Sequence, residues 1–277
     1  EIWPNMFLNL KKKEIPIILL NGRITKKSFN KWSTFPSFAK KFFSKFYLCL
    51  CSNRESQNYL KKLGASNVKF LGNLKFSQLE NEKLIINNKI KKFILKKKSW
   101  CASSTHNSEE KFCAIVHKKL KRKYRNLLTI IIPRHIERVD QIVNELKKLN
   151  LKVYNHESNE ILENDTDIYI VNSYGKTKSF YNICKNVFLG GSIVNHGGQN
   201  PLEAARYGCN ILHGPNVFNF KEIYYFLKKN KISQKIQSEK KLADCLDKLF
   251  SKRPNSNKIQ KKLNLMGQKI LESTYKD

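Results

Sequence analysis

Short apolar runs alternate with segments of helical period along nearly the whole chain. Residues 15–20, 46–51 and 68–71 have the length and composition of buried strands. Helical patterns separate them, from Pro4 to about residue 13 and again over 54–63, where Gly64 marks the stop. A second series predicts strands at 100–103, 127–132, 151–154, 168–171, 187–189 and 209–212. Its helices fall at 108–120, 137–149, 178–185, 201–207 and 221–229, with two more amphipathic helices inside 242–271. Short strands spaced by helices predict an α/β protein with parallel sheets and right-handed crossovers.

The same pattern divides the chain. Residues 1–76 form a first block, 77–98 a polar, Lys-rich linker with a surface helix, 99–255 a second domain and 256–277 a C-terminal helix. The first block is shorter than the roughly 100 to 200 residues of a complete domain, so it reads as the rear half of one. The chain opens on Glu1 in what already reads as a folded segment, and an upstream part is expected. No run approaches the roughly 18 apolar residues of a membrane-spanning helix.

Charge changes the picture next. The sequence carries 53 Lys and Arg against 22 Asp and Glu, a formal net charge of +31, which calls for an acidic partner or surface. Lysine dominates, whereas a nucleic-acid partner calls for more Arg interleaved with aromatic rings, so no nucleic acid is expected. Two readings remain: Lys, Asn and Ile enrichment across solvated faces, and an anionic membrane surface, where each nearby Lys contributes about 1 kcal/mol. Trp32, Phe35, Phe38, Phe42, Phe43 and Phe46 are interleaved with Lys26, Lys27, Lys31, Lys40, Lys41 and Lys45. Rings at a lipid interface would give this composition, and so would a core helix with a solvated basic face. The seven cysteines form no C-x-x-C pair and no zinc spacing, so no metal site is expected, and no cofactor is called for elsewhere in the sequence. They read as reduced core thiols of a cytoplasmic protein.

In an open parallel sheet, ligands bind beyond the carboxyl ends of the strands, and the informative residues fall there. Pro133-Arg134-His135 follows one strand, and Gly190-Gly191-Ser192 follows another and leads into Gly197-Gly198-Gln199-Asn200-Pro201-Leu202-Glu203. Gly214-Pro215-Asn216 follows a third. Glycines let the backbone approach a ligand, and Asn200 with Pro201 suits a helix start whose amides favour an anion. Glu203 can accept hydrogen bonds from sugar hydroxyls or complete a capping box with Asn200. Arg134 offers a planar fork of donors to a phosphate, or it forms a surface salt bridge. Ser104, before Glu109-Glu110, reads as a cap of a second helix facing the same cleft, with one hydroxyl or amide on phosphate.

These segments together resemble the 3-deoxy-manno-octulosonic acid (Kdo) transferase family. GGSIVNHGGQNPLE at 190–203 and the GPNVFNF that ends at Phe220 are similar to that family's G-G-S-L-V-x-R-G-G-H-N-P-L-E and G-P-x-x-x-N-F. EIWPN at 1–5, Asn21-Gly22-Arg23, GNLKF at 72–76, STHNSEE at 104–110 and IPRHIER at 132–138 follow the family's order. The resemblance covers nearly the whole chain. It implies a GT-B glycosyltransferase of two Rossmann-like domains, the first incomplete, which moves Kdo from CMP-Kdo onto a lipid A precursor in lipopolysaccharide synthesis. It places the enzyme at the cytoplasmic face of the bacterial inner membrane.

Residue by residue, the resemblance gives Pro133, Arg134, Asn200, Pro201, Leu202 and Glu203 contacts with CMP. It makes Lys75 the group that stabilises transition-state charge. Tyr174, Gly175 and Lys176 stand where the family has an acidic D-T-x-G-E-L segment, so only a backbone contact with cytidine carries over. His196 replaces an Arg and Gln199 a His. The family's general base is a Glu upstream of Glu1, so transfer by this chain alone is not expected. The alternatives are another nucleotide-sugar enzyme of the same fold, or a non-catalytic module that binds CMP-Kdo or membrane.

Overall fold

The computed structural model describes residues 3–77, 86–156, 162–252 and 255–276. Glu1 and Ile2 of the EIWPN motif, and 78–85 of the expected linker, lie outside the described residues. The chain divides into two units, 1–79 with 264–277, and 80–263. The boundaries of the expected linker and C-terminal helix are therefore drawn differently, since both are shared out to the two units.

The first unit is built on a parallel sheet of three strands in the order β1-β2-β3: β1 (Ile17–Gly22), β2 (Phe46–Cys51) and β3 (Val68–Phe70). Helices α1 (Pro4–Lys12), α2 (Lys26–Ser33), α3 (Pro36–Phe43) and α4 (Arg54–Lys62) flank these strands in sequence. Each start has a local cause. Pro opens α1 and α3, where its missing N–H costs nothing; Thr25 accepts a hydrogen bond from Ser28 N at the head of α2, and Asn53 from Ser56 N at the head of α4. Phe42, Phe43 and Phe46 are buried, and Phe7 packs against Phe42 and Phe46 with ring centroids 5.3 and 5.2 Å apart. This corrects the reading of the whole 32–46 aromatic set as rings at a lipid interface. A short helix with apolar residues at 39, 42 and 43 buries that face before it can offer it to anything else. Only Phe35 and Phe38 stay exposed, at 68% and 53%, with Lys31, Lys40 and Lys41 also exposed nearby in sequence.

The second unit holds a parallel sheet of seven strands in the order β10-β9-β8-β4-β5-β7-β6. The strands are β4 (Lys98–Thr105), β5 (Leu127–Pro133), β6 (Val153–Asn155), β7 (Ile168–Ile170), β8 (Asn186–Leu189), β9 (Asn210–His213) and β10 (Ser233–Lys235). The crossovers carry α6 (Glu109–Lys121), α7 (Val139–Lys147), α8 (Thr177–Ile183), α9 (Leu202–Arg206) and α10 (Lys221–Lys229). Helices α5 (Asn88–Leu95), α11 (Glu239–Phe250) and α12 (Ser256–Lys276) complete the chain. All seven residues of β5 are buried, the expected state of a central parallel strand covered on both faces. Ile94 of α5 is fully buried, so that part of the expected linker is packed. His117 of α6, also fully buried, bridges Thr129 at 2.9 Å and Asp167 at 3.2 Å and ties the helix to the sheet. The seven cysteines are all buried and unpaired. Strand order reverses at β4: the chain builds outward through β5, then crosses to β8 on the other side. That reversal opens a crevice beyond the carboxyl ends of β4 and β8.

Candidate functional site at the strand-order reversal

Three connections meet at this crevice, after β4, β5 and β8. Strand β4 ends in a register shift between Ser103 and Thr105, with Ser104 in left-handed backbone at φ 54°. The turn that follows enters α6 without a side-chain cap at Ser108. Its acids fold back instead. Thr105 Oγ1 donates to Glu110 Oε1 at 2.9 Å, and the Arg138 guanidinium donates to both Glu110 oxygens at 3.1 and 3.3 Å. Arg134 N donates to Thr105 O at 3.0 Å, so the β4 and β5 connections are bound to each other.

Glu109 is fully buried and accepts four main-chain hydrogen bonds. His106 N and Gly191 N reach Oε2 at 3.0 and 2.6 Å, while Ser192 N and Ile193 N reach Oε1 at 3.1 and 2.9 Å. Ser192 is equally buried; its hydroxyl donates to Leu189 O and accepts from Gly214 N at 2.8 Å. The sequence assigned Gly190, Gly191 and Ser192 to a ligand because glycines permit close approach. In the structure the close approach is to the protein itself, and the amides of Gly191 and Ser192 already hold Glu109.

The other predicted residues distribute as follows. Pro133 ends β5 and is buried; Arg134, next in sequence, is exposed and has no ion pair among the described residues, so the salt-bridge alternative drops away. Helix α9 begins at Leu202 rather than Pro201, and Asn200 Oδ1 accepts from Leu202 N at 3.2 Å. Pro201 and Leu202 are buried and Glu203 is half-buried. Tyr174 and Gly175 are exposed, and with Lys176 they fill the turn between β7 and α8. Lys75 belongs to the first unit. It is exposed on a 3-10 turn, Leu74–Ser77, whose Leu74 N donates to Asn21 Oδ1 at 3.1 Å. The fold thus joins the Asn21-Gly22 and GNLKF motifs beyond the sheet's carboxyl edge.

A group of imidazoles was missed by the sequence reading. The His106 ring lies with its centroid 4.1 Å from His196 and 5.8 Å from His135, and the Gln199 amide approaches its Nε2 at 3.2 Å. Burial, and then the neighbouring His196, His135, Arg134 and Arg138, push the His106 imidazole down to about 4. It is therefore neutral near pH 7. Glu109 and Glu110 are both engaged internally, while the rim carries the exposed guanidinium of Arg134. Such a rim can receive an anion. Among the described residues, no group of three or more His, Cys, Asp or Glu could hold a metal ion.

The comparisons with known proteins agree with this architecture. A family model described as 3-deoxy-D-manno-octulosonic-acid transferase (kdotransferase) matches residues 1–78. A 3-deoxy-D-manno-octulosonic acid transferase of Haemophilus influenzae is 29% identical over 98% of this chain and 64% of its own length. One of Rickettsia bellii is 29% identical over 100% of this chain and 65% of its own. The chain thus spans slightly under two thirds of the length of these relatives. Among solved structures, the C-terminal CMP-Kdo binding domain of WaaA from Acinetobacter baumannii superposes with a TM-score of 0.56 at 24% identity, covering 65% of this chain and 92% of that one. UDP-GlcNAc 2-epimerase from Neisseria meningitidis, bound to UDP-GlcNAc, superposes at 0.57 and 14% identity, covering 98% of this chain and 72% of that one. These likenesses establish the α/β fold of GT-B type. With residues 1–78 matched by that family model, nearly the whole chain aligned to two transferases at 29% identity, and the motifs in the same order, the chain is similar to the 3-deoxy-D-manno-octulosonic acid transferases along nearly all of its length.

Proposed function

We propose that this chain takes part in transferring Kdo from CMP-Kdo to a lipid A precursor, and that its second unit holds the CMP part of the donor. One observation carries the reading: Arg134 stands exposed and without an ion pair among the described residues, just beyond β5, where its main-chain N–H is bonded to Thr105 O at the end of β4. Transfer breaks the bond between the sugar and the phosphate and leaves charge on CMP. A guanidinium at the phosphate stabilises that charge, and the resemblance gives Lys75 the role of stabilising transition-state charge. In this reading Glu203, half-buried in the first turn of α9, accepts hydrogen bonds from sugar hydroxyls. Calorimetry with the native chain is expected to give CMP binding well ahead of UMP. Equal affinity would favour another nucleotide-sugar enzyme of this fold, and no binding of either would remove nucleotide recognition altogether.

The acceptor is a lipid, and the reading includes docking to an anionic membrane at the cytoplasmic face of the inner membrane. Phe35 and Phe38 are the rings available for it, with Lys31, Lys40 and Lys41 exposed nearby in sequence. The chain is expected to sediment with phosphatidylglycerol vesicles, less at high salt. Phe35→Ser with Phe38→Ser should weaken that binding without unfolding the first unit. Sedimentation that ignores both salt and the two substitutions would sink the membrane role of this surface.

A further inference from the structure

A glycine-rich turn beyond a parallel strand, at the point where strand order reverses, is where main-chain amides ordinarily cradle a ligand's phosphate. In this chain the amides of Gly191, Ser192 and Ile193 are occupied by the protein's own carboxylate, Glu109, with bonds of 2.6 to 3.1 Å. His106 N adds a fourth at 3.0 Å. We propose that Glu109 is a positioning residue, an internal anion that fixes the 190–200 loop in the shape the donor's phosphate group requires. The proposal rests on the reading of the crevice as the CMP site.

The coupling runs through consecutive hydrogen bonds. Glu109 fixes residues 191–193, and Gly198 N then donates to Gly191 O at 2.8 Å, closing the loop on itself. Closure sets Gln199 against His106 at 3.2 Å and brings Asn200 to cap Leu202 N at 3.2 Å. On the other side, Asn216 N donates to Ser192 O at 2.9 Å. The donor's phosphate is therefore left to side chains on the rim, Arg134 first among them. The chemistry requires a carboxylate. Four donors converge on two oxygens, and an amide at this position would turn an N–H toward amide N–H groups that have nowhere else to go. Burial without solvent makes that mismatch costly.

The test compares the native chain with Glu109→Gln and Glu109→Asp by calorimetric titration with CMP, at a temperature where circular dichroism finds each protein folded. Glu109→Gln is expected to weaken CMP by about tenfold or more, the scale of leaving buried donors unpaired. Glu109→Asp, which keeps the charge, should recover part of the loss, as a general loss of packing would not. In the native chain, the amide protons of His106, Gly191, Ser192 and Ile193 should resist hydrogen exchange; this measurement decides if Glu109→Gln does not fold. Glu109→Gln binding CMP as tightly as the native chain would overturn the proposal, and so would rapid exchange of those four amides. If the native chain itself failed to bind CMP, the donor-site reading would fall and take this role with it.

Discussion

Replacing Arg134 with alanine is expected to weaken CMP binding by roughly tenfold to a hundredfold, from a charge-assisted interaction of about 1.5 to 3 kcal/mol. The lower end of that range applies best, because Arg134 is exposed and solvent screens it. Cytidine, which lacks the phosphate, should bind the variant as it binds the native chain. The affinity of native protein for CMP should fall with added salt, and that salt dependence should shrink in the variant. Arg138 makes a useful contrast, because its guanidinium is bound to both oxygens of Glu110. Its removal would strand a buried carboxylate and act on stability first. Calorimetry with CMP and cytidine separates the outcomes. Equal losses for both ligands at Arg134→Ala would indicate a disturbed fold and end the assignment of this side chain to phosphate.

The second large effect concerns Gly190. A Cβ added there would lie 2.4 Å from Ser104 O, 2.6 Å from Thr105 Cα and 2.7 Å from Glu109 Oε2. Two of those neighbours are backbone, fixed by the β4–β8 pairing, and the third is held by four amides. None can move aside cheaply. Gly190→Ala is therefore expected to destabilise the second unit by about 2 to 3 kcal/mol. For a unit of this size that lowers the melting temperature by on the order of 5 to 10 °C. Gly175 serves as the control: it has φ 78°, but a Cβ there would meet nothing within 4 Å. Gly175→Ala should cost only the left-handed backbone penalty, roughly 1 to 2 kcal/mol. Calorimetric melting of both variants checks the ranking. A Gly190→Ala chain that melts with the native protein would mean that the β4 and β8 connections are not locked together as described.

What the sequence determined by itself was the part of the fold written in local periodicity. The apolar run of β5, the stop at Gly64 and the helix at 221–229 could be read directly, because a strand or helix that buries a face must repeat its apolar residues at a fixed interval. The order of the motifs was also legible, and with it the α/β class and the likeness to the transferases. Strand β10 was not. Ser233–Lys235 is a polar edge strand, and only its pairing with Ile211–His213 of β9 makes it a strand at all. The destinations of Phe42, Phe43 and Phe46 were equally open, since an aromatic ring among lysines suits a core and a lipid surface alike. The site shows the sharpest division. Arg134 and the Asn200–Glu203 turn could be placed beyond strand ends from sequence, but Glu109 could not be linked to Gly191, Ser192 and Ile193, more than eighty residues away. A carboxylate finds buried amides, and three imidazoles find one another, only after the sheet has brought three separate connections to one edge. Local pattern carries no information about that meeting, and the strand order alone decides it.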